Sequence, residues 1–366
     1  MWMLTFWVLP LLAIVYIAWH VWTLLPLTGL WKALIIIVGI LCFVLLFLNF
    51  GRKFDSLPLP LAQLSYEIGT SSILVMLYLV ILFLMLDLGR LVHLVPKSLL
   101  YHNWYASIGI FVLLLGVFLY GNLHYYNKVC VPLELKSAKL LPKDYKVVML
   151  SDLHLGYHNP RKELARWVDM INAEKPDFIL IAGDIIDGSM RPLLEERMAD
   201  EFHRLQAPVY ACLGNHEFYA GHPEAKQFYK DAGIHLLIDD SAVIDSCIVI
   251  IGCDDRTNMR RKPIKDLVTS LHAAHSSLHD PYTIVLDHQP YNLDRTETAG
   301  VDFQLSGHTH RGQVWPISWI TDHIYECSWG SYQRGNTRFY ISSGIGIWGG
   351  KYRIGTQSEY VVATLR

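Results

Sequence analysis

Five short clusters in the later two thirds of the chain carry side chains that bind divalent cations. They are Asp152-Leu-His154, Gly183-Asp184-Ile-Ile-Asp187, Gly214-Asn215-His216-Glu217, His288-Gln-Pro and Gly307-His308-Thr-His310. Asp152 and Asp184 offer carboxylates, Asn215 an amide oxygen, and His154, His288, His308 and His310 imidazoles. A mixed oxygen and nitrogen set of this kind suits Mn, Fe or Zn, whereas a soft site would use thiolates, and no cysteine belongs to it. The spacing carries information as well. Asp152 and His154 lie two apart, as do His308 and His310, which puts both members of each pair on one face of an extended segment. A carboxylate such as Asp184 can bridge two cations with its two oxygens, while Asn215 has one uncharged oxygen to give. Gly307 permits close backbone approach to the ions. Taken singly, each cluster reads as an ordinary turn. Five in succession, each with ligand types that complement the others, read as one site.

The elements that must position these residues are visible as apolar runs. Strand-like segments at 146–151, 178–182, 208–213, 282–287 and 301–306 each end where a cluster begins, and 247–252 and 338–343 add two more. Between them, Leu164, Val168 and Ile171 recur at helical spacing over 161–174. Leu194, Met198, Phe202 and Leu205 mark a second amphipathic helix opened by Pro192, and Leu267, Leu271 and Leu278 a third. Alternation of this kind predicts an α/β domain. In such a domain, loops at the carboxyl ends of the strands converge on one crevice.

The first third is different in kind. Only Lys32, Arg52, Lys53, Arg90 and Lys97 of 31 basic residues precede residue 128, and only Asp55, Glu67 and Asp87 of 33 acidic ones. Four apolar stretches, 2–27, 30–50, 68–94 and 104–126, approach or exceed the roughly 20 residues needed to span a bilayer. The first lacks the positive start of a cleaved signal and is read as retained. Trp2, Trp7, Trp19, Trp22, Trp31, Trp104, Tyr125 and Tyr126 sit mostly towards the ends of these runs and read as interfacial anchors. Asp87 and Arg90 share a helix face and are expected to pair. Arg52, Lys53, Lys128, Lys136, Lys139 and Lys143 on one side, against Lys32, Arg90 and Lys97 on the other, predict a multi-pass integral membrane protein with its later domain in the cytoplasm. Beyond residue 127 the remaining 26 basic and 30 acidic residues exclude nucleic-acid binding through bulk positive charge. The six cysteines show no C-x-x-C pair, and Cys212 and Cys247 read as buried thiols.

The segments SDLHLG (151–156), GDIIDG (183–188), GNHEFYAG (214–221), DHQP (287–290) and SGHTHRGQ (306–313) resemble the successive blocks of the calcineurin-like metallophosphoesterases. With the closing SGIGIWGGKYRIG (343–355), they are similar to the membrane-anchored branch of that family. The resemblance implies a four-layer α/β fold, two mixed β-sheets in a sandwich flanked by helices, behind an all-α transmembrane region of about four helices. The domains expected are 1–127 as that region, 128–145 as a linker and 146–366 as the phosphoesterase domain. It further implies two divalent ions, one held by Asp152, His154, Asp184 and His310, the other by Asp184, Asn215, His288 and His308. His216 would be the acid near the scissile bond. Arg311, where such proteins often have Gly, is a candidate contact for the substrate phosphate.

The function so implied is metal-dependent hydrolysis of a phosphate mono- or diester or a pyrophosphate bond, with a lipid-linked substrate suggested by the four helices. The competing class is a membrane receptor or scaffold whose phosphoesterase domain binds ligand without turnover. Asp187 reads equally as a turn residue or as one that orients a ligand loop. The basic run Arg256, Arg260, Arg261 and Lys262 reads as a solvated face or a site for an anionic lipid head group. His272, His275 and His279, off the Leu face of their helix, read as surface residues.

Overall fold

The computed structural model describes residues 8–49 and 53–366, so Trp2, Trp7 and Arg52 lie outside the described residues. The chain divides into two compact units, Met1–Asn122 with Gly349–Lys351, and Leu123–Trp348 with Tyr352–Arg366.

Among the described residues, four apolar helices come first: α1 (Leu9–Leu24), α2 (Gly29–Asn49), α3 (Leu59–Leu91) and α4 (Trp104–Tyr126). Among the described residues, three are long and apolar enough to cross a membrane, over Gly29–Leu48, Leu59–Leu91 and Trp104–Tyr126, while α1 is shorter at 16 residues. Helix α3 begins at Leu59, well before the apolar stretch that starts at residue 68. Pro60 in its first turn leaves no needed amide unpaired there, so the polar residues Gln63, Ser65 and Glu67 are carried in the helix. The expected Asp87–Arg90 pair gives way to another arrangement. Asp87 Oδ2 accepts a hydrogen bond of 2.7 Å from the Tyr16 hydroxyl and lies 3.1 Å from His20 Nε2, because packing α1 on α3 offers partners that cost less desolvation than a helix-surface pair. Trp19, Trp22, Trp31 and Trp104 are exposed, as anchors must be. Tyr125 is not one of them: it is buried, donating to Asn159 Oδ1 at 2.7 Å and Glu163 Oε2 at 3.1 Å.

The second unit holds twelve strands: β1 (Lys128–Leu135), β2 (Tyr145–Leu150), β3 (Phe178–Ala182), β4 (Val209–Cys212), β5 (His235–Leu236), β6 (Asp240–Ile244), β7 (Ile248–Gly252), β8 (Tyr282–Leu286), β9 (Phe303–Ser306), β10 (Gly330–Arg334), β11 (Thr337–Ile341) and β12 (Ser358–Leu365). They form two mixed six-stranded sheets, ordered β1-β12-β2-β3-β4-β5 and β10-β11-β9-β8-β7-β6. The helices are α5 (Arg161–Ala173), α6 (Arg191–Glu195), α7 (Ala199–Phe202), α8 (Asn215–Ala220), α9 (His222–Asp231), α10 (Ile264–Ala274), α11 (Leu293–Thr298) and α12 (Ile317–Ile324).

Strand alternation sorts the side chains into layers. Tyr145, Val147, Met149, Phe178 and Leu180 point from the first sheet into a core shared with Ile248, Ile250, Ile284, Leu286 and Phe303 of the second. The alternate residues Val148, Leu150, Ile179 and Ile181 meet Leu164, Trp167 and Val168 of α5, and Val249, Ile251 and Val285 meet Leu267 and Val268 of α10. The result is the four-layer α/β sandwich expected.

Three readings of the sequence need correction. The segment taken as a linker, 128–145, contains β1, whose Val131, Leu133 and Leu135 join the core between the sheets and whose backbone pairs in parallel with β12. Its alternation was masked by the exposed Cys130 and by Pro132. The helix read through Leu194, Met198, Phe202 and Leu205 is two short helices, α6 and α7, separated at Arg197, whose φ of 53° breaks the helical path. His272 and His275 are half-buried and bonded, to Thr283 Oγ1 at 3.0 Å and Ser241 Oγ at 2.9 Å, while His279 is exposed.

Candidate metal centre

The five clusters leave the carboxyl ends of β2, β3, β4, β8 and β9. The chain after β2 runs on beside the chain after β3 through Asp152 N to Gly183 O (3.1 Å) and His154 N to Asp184 O (2.9 Å), so Asp152, His154 and Asp184 meet. Gly307 N donates to His288 O at 2.9 Å and fixes the β8 and β9 loops to each other. Two glycines are required by proximity. A Cβ at Gly214 would lie 2.1 Å from Asp184 Oδ1, and one at Gly307 would lie 2.3 Å from Asp152 Oδ2. Asp152, His154, Asp184, His308 and His310 all have positive φ, a conformation that costs of order 1 kcal/mol or more each and persists where the surroundings enforce it.

Three overlapping groups could each hold an ion: Asp152, His154 and His310; His154, Asp184 and His216; Asp184, His288 and His308. Asp184 Oδ2 stands 3.0 Å from His288 Nε2 and 3.7 Å from His154 Nε2, so one carboxylate oxygen faces ligands on both sides. His310 Nε2 is 3.5 Å from Asp152 Oδ1 and 3.0 Å from His154 Nε2. Asn215 Oδ1 joins the group of Asp184, His288 and His308, at 2.9 Å from His308 Nδ1. All seven expected ligands and His216 therefore come together. The residues fit a pair of divalent ions on a direct test. His288 Nε2 and His310 Nδ1 are buried with no hydrogen-bond partner among the described residues, and ring nitrogens face carboxylate and ring nitrogen alike at distances a cation would bridge.

The electrostatics suit a cation. Burial opposes ionisation of Asp152 and Asp184, yet His310 beside the first and His288 beside the second hold both carboxyls below the usual range. Burial, with the charge of His288, lowers His308 to about 4, and burial lowers His310 to about 3, so both present neutral lone pairs near neutral pH. Burial also opposes the charged form of His154, but Asp152 and Asp187 outweigh it and lift that imidazole to about 10, drawing a proton or a cation to it.

Supporting contacts fix the ligands. His288 Nδ1–H donates to Ala182 O at 2.8 Å, which turns Nε2 towards Asp184. Asp187, read equally as a turn residue, is buried with Oδ1 at 3.2 Å from His154 Nδ1 and 3.3 Å from His216 Nδ1, and its carbonyl accepts from His216 Nδ1–H at 3.1 Å. Glu217, outside the ligand sets expected from the sequence, also supports the site. It is wholly buried and accepts from Gly214 N (2.7 Å), Ile186 N (3.0 Å), Asp184 N (3.2 Å) and the Tyr229 hydroxyl (3.0 Å). Its position three residues after the cap of α8 was the available signal. The basic run is also corrected. Arg261 is not solvated: it grips Asp287, the residue before His288, with two bonds of 2.8 and 2.9 Å, and Arg256 adds a contact at 3.4 Å. Arg353, fully buried, donates to His310 O at 2.8 Å. Arg311 lies with its guanidinium 4.1 Å from the centre of the Trp329 ring.

Residues 145–312 match the family described as calcineurin-like phosphoesterase. An uncharacterized metallophosphoesterase of Campylobacter jejuni is 31% identical over 267 residues, which cover 70% of this chain and 68% of the relative. The chain belongs to the calcineurin-like phosphoesterase family. An uncharacterized metallophosphoesterase of Aquifex aeolicus is 30% identical across 63% of this chain and 89% of its own length. A Danio rerio protein described as a transmembrane protein with metallophosphoesterase domain is 29% identical, and the match spans about half of it, 53%. Family membership and the His and Asp clusters together make this chain a metal-dependent phosphoric ester hydrolase with a site for divalent ions, and its apolar helices associate it with a membrane.

Proposed function

We propose that this phosphoesterase binds two ions, of Mn, Fe or Zn, through Asp152, His154, Asp184 and His310 on one side and Asp184, Asn215, His288 and His308 on the other, and that it hydrolyses a lipid-linked phosphate ester. The observation that carries the reading is that seven donor side chains from five separate loops come within bonding reach of common points, with Asp184 facing both groups. Paired divalent ions, when bound, supply a hydroxide near neutral pH and neutralise charge gathering on the phosphoryl oxygens. The chain's own groups do the rest. Asp187 orients His216 through its carboxylate and carbonyl, and His216, protonated, gives its proton from Nε2 to the departing alkoxide. Arg311 is held near the loop that supplies His310 and contacts the substrate phosphate.

The helical segment serves as the membrane part, and the catalytic domain, from Lys128 onward, lies in the cytoplasm by the bias of basic residues. A protease-protection assay that found the domain on the far side would reverse that orientation. The catalytic reading is separated from a ligand-binding scaffold by one comparison. Purified protein with added Mn hydrolyses a soluble aryl phosphodiester, and Asp184→Ala reduces the rate to background, a loss of at least about 10³-fold. Equal rates for the two proteins would remove the site from the reaction.

A further inference from the structure

Helix α12 exposes large apolar side chains. Ser318 faces the protein at 7% exposed, while Asp322, which accepts a hydrogen bond from Ser328 Oγ, and His323 lie on the exposed side. Its apolar residues face away, with Trp319 65%, Ile320 57% and Ile324 59% exposed, and Trp315, one turn before Trp319, packs edge-on against it with ring centres 5.3 Å apart. An amphipathic helix on a soluble domain turns this face inward. An exposed apolar stripe on a well-packed domain marks an interaction surface.

We propose that α12 is an interfacial helix, seated by Trp319, Ile320 and Ile324 in the headgroup layer of a bilayer, where it opens the metal centre to phosphate esters of membrane lipids. Three observations select lipid as the occupant. Among the described residues the same chain carries three helices long and apolar enough to cross a membrane, so a bilayer is at hand, and tethering raises its effective concentration. The exposed side combines tryptophan with isoleucine, the composition of helices lying at the acyl and headgroup boundary, and its polar members, Asp322 and His323, suit the headgroup layer. Finally, both ends of the helix are tied to the metal centre. The segment before it carries the ligand His310, and Tyr325, directly after it, sets its ring 6.4 Å from that of the ligand His308. Tyr325 is itself fixed to Tyr291 by a 2.9 Å hydroxyl contact. A lipid held at α12 therefore has its headgroup beside the ligands.

This inference rests on the phosphoesterase reading, and the test keeps the two apart. The full-length protein is reconstituted in phosphatidylcholine vesicles containing a phosphatidylcholine with a diazirine in its acyl chain, irradiated, and mapped by peptide mass spectrometry at low and high salt. Adducts on the peptide carrying Trp319 and Ile320, retained at high salt because apolar burial rather than charge attraction drives insertion, are expected. The variant Trp319→Ser, Ile320→Ser, Ile324→Ser should lose them by about fivefold or more, since the apolar area that drives insertion is gone. Its hydrolysis of a soluble aryl phosphodiester with Mn should stay within about twofold of the parent, as none of the three is a ligand. Adducts confined to α2, α3 and α4, or cross-linking of α12 to a second protein copy in place of lipid, would overturn the proposal. Failure of the parent protein to hydrolyse the soluble ester would count against the catalytic reading alone.

Discussion

The two halves of the metal centre are made differently. Asp152, His154, Asp184 and His288 are fully buried, and each has a second partner that fixes it: the His308 amide for Asp152, Asp187 for His154, the His216 amide for Asp184 and the Ala182 carbonyl for His288. His216, His308 and His310 are less buried and come from the start of α8 and the loop after β9. The closed half is set before any ion arrives, with carboxylates held ionised in a dry site. The open half presents the imidazoles of His308 and His310 and holds His216, the proton donor of the proposed mechanism. A phosphoesterase thereby separates holding its ions, which needs rigidity, from meeting its substrate, which needs access.

The contrast can be broken at several points. The largest effect is expected on the open side: His216→Asn should retain its metal and lose about 10²- to 10⁴-fold in turnover on esters with poor leaving groups, while esters with good leaving groups suffer less. Steady-state rates on the two ester types, with metal analysis of the same samples, check this, and unchanged turnover would remove His216 from the mechanism. Arg261→Ala strikes the closed half from behind, leaving buried Asp287, next to His288, with only the 3.4 Å contact of Arg256 to offset its charge. A loss of roughly 3 kcal/mol in denaturant unfolding is expected for a broken buried pair, and a loss under about 1 kcal/mol would show the pair to be dispensable. Asp187→Asn touches both halves at once. It should weaken metal binding and turnover by about 10- to 100-fold, because the ring orientation of both His154 and His216 is loosened. Turnover falling without any change in metal affinity would confine Asp187 to the open side.

Much of this was legible in the chain because its determinants are local. Each ligand cluster follows its strand within a residue or two, and alternation in the two sheets follows directly from residues such as Val147, Val148, Met149 and Leu150. What escaped depends on pairing over distance. Asp287 looked like an incidental neighbour of His288 until Arg261, 26 positions earlier, closed on it. Strand β12 lies between β1 and β2 although more than 200 residues separate it from either, and an edge strand such as β1, interrupted by Pro132 and Glu134, carries too little apolar signal to announce such a partner. Asp87 pairs with Tyr16 and His20 across the helices, a choice that helix periodicity alone could not make. The apolar residues Trp319, Ile320 and Ile324 of α12 have helical spacing, which does not tell that they lie outward.

The central claim is that the seven side chains grip a pair of cations, and metal analysis of the purified full-length protein tests it most directly. Loaded with Mn, Fe or Zn and freed of excess metal, the protein should retain about two ions per chain, and Asp184→Ala, which removes the shared carboxylate, should retain at most about one with greatly weakened affinity. A protein that kept no metal, or one in which Asp184→Ala held as much as the parent, would contradict the account.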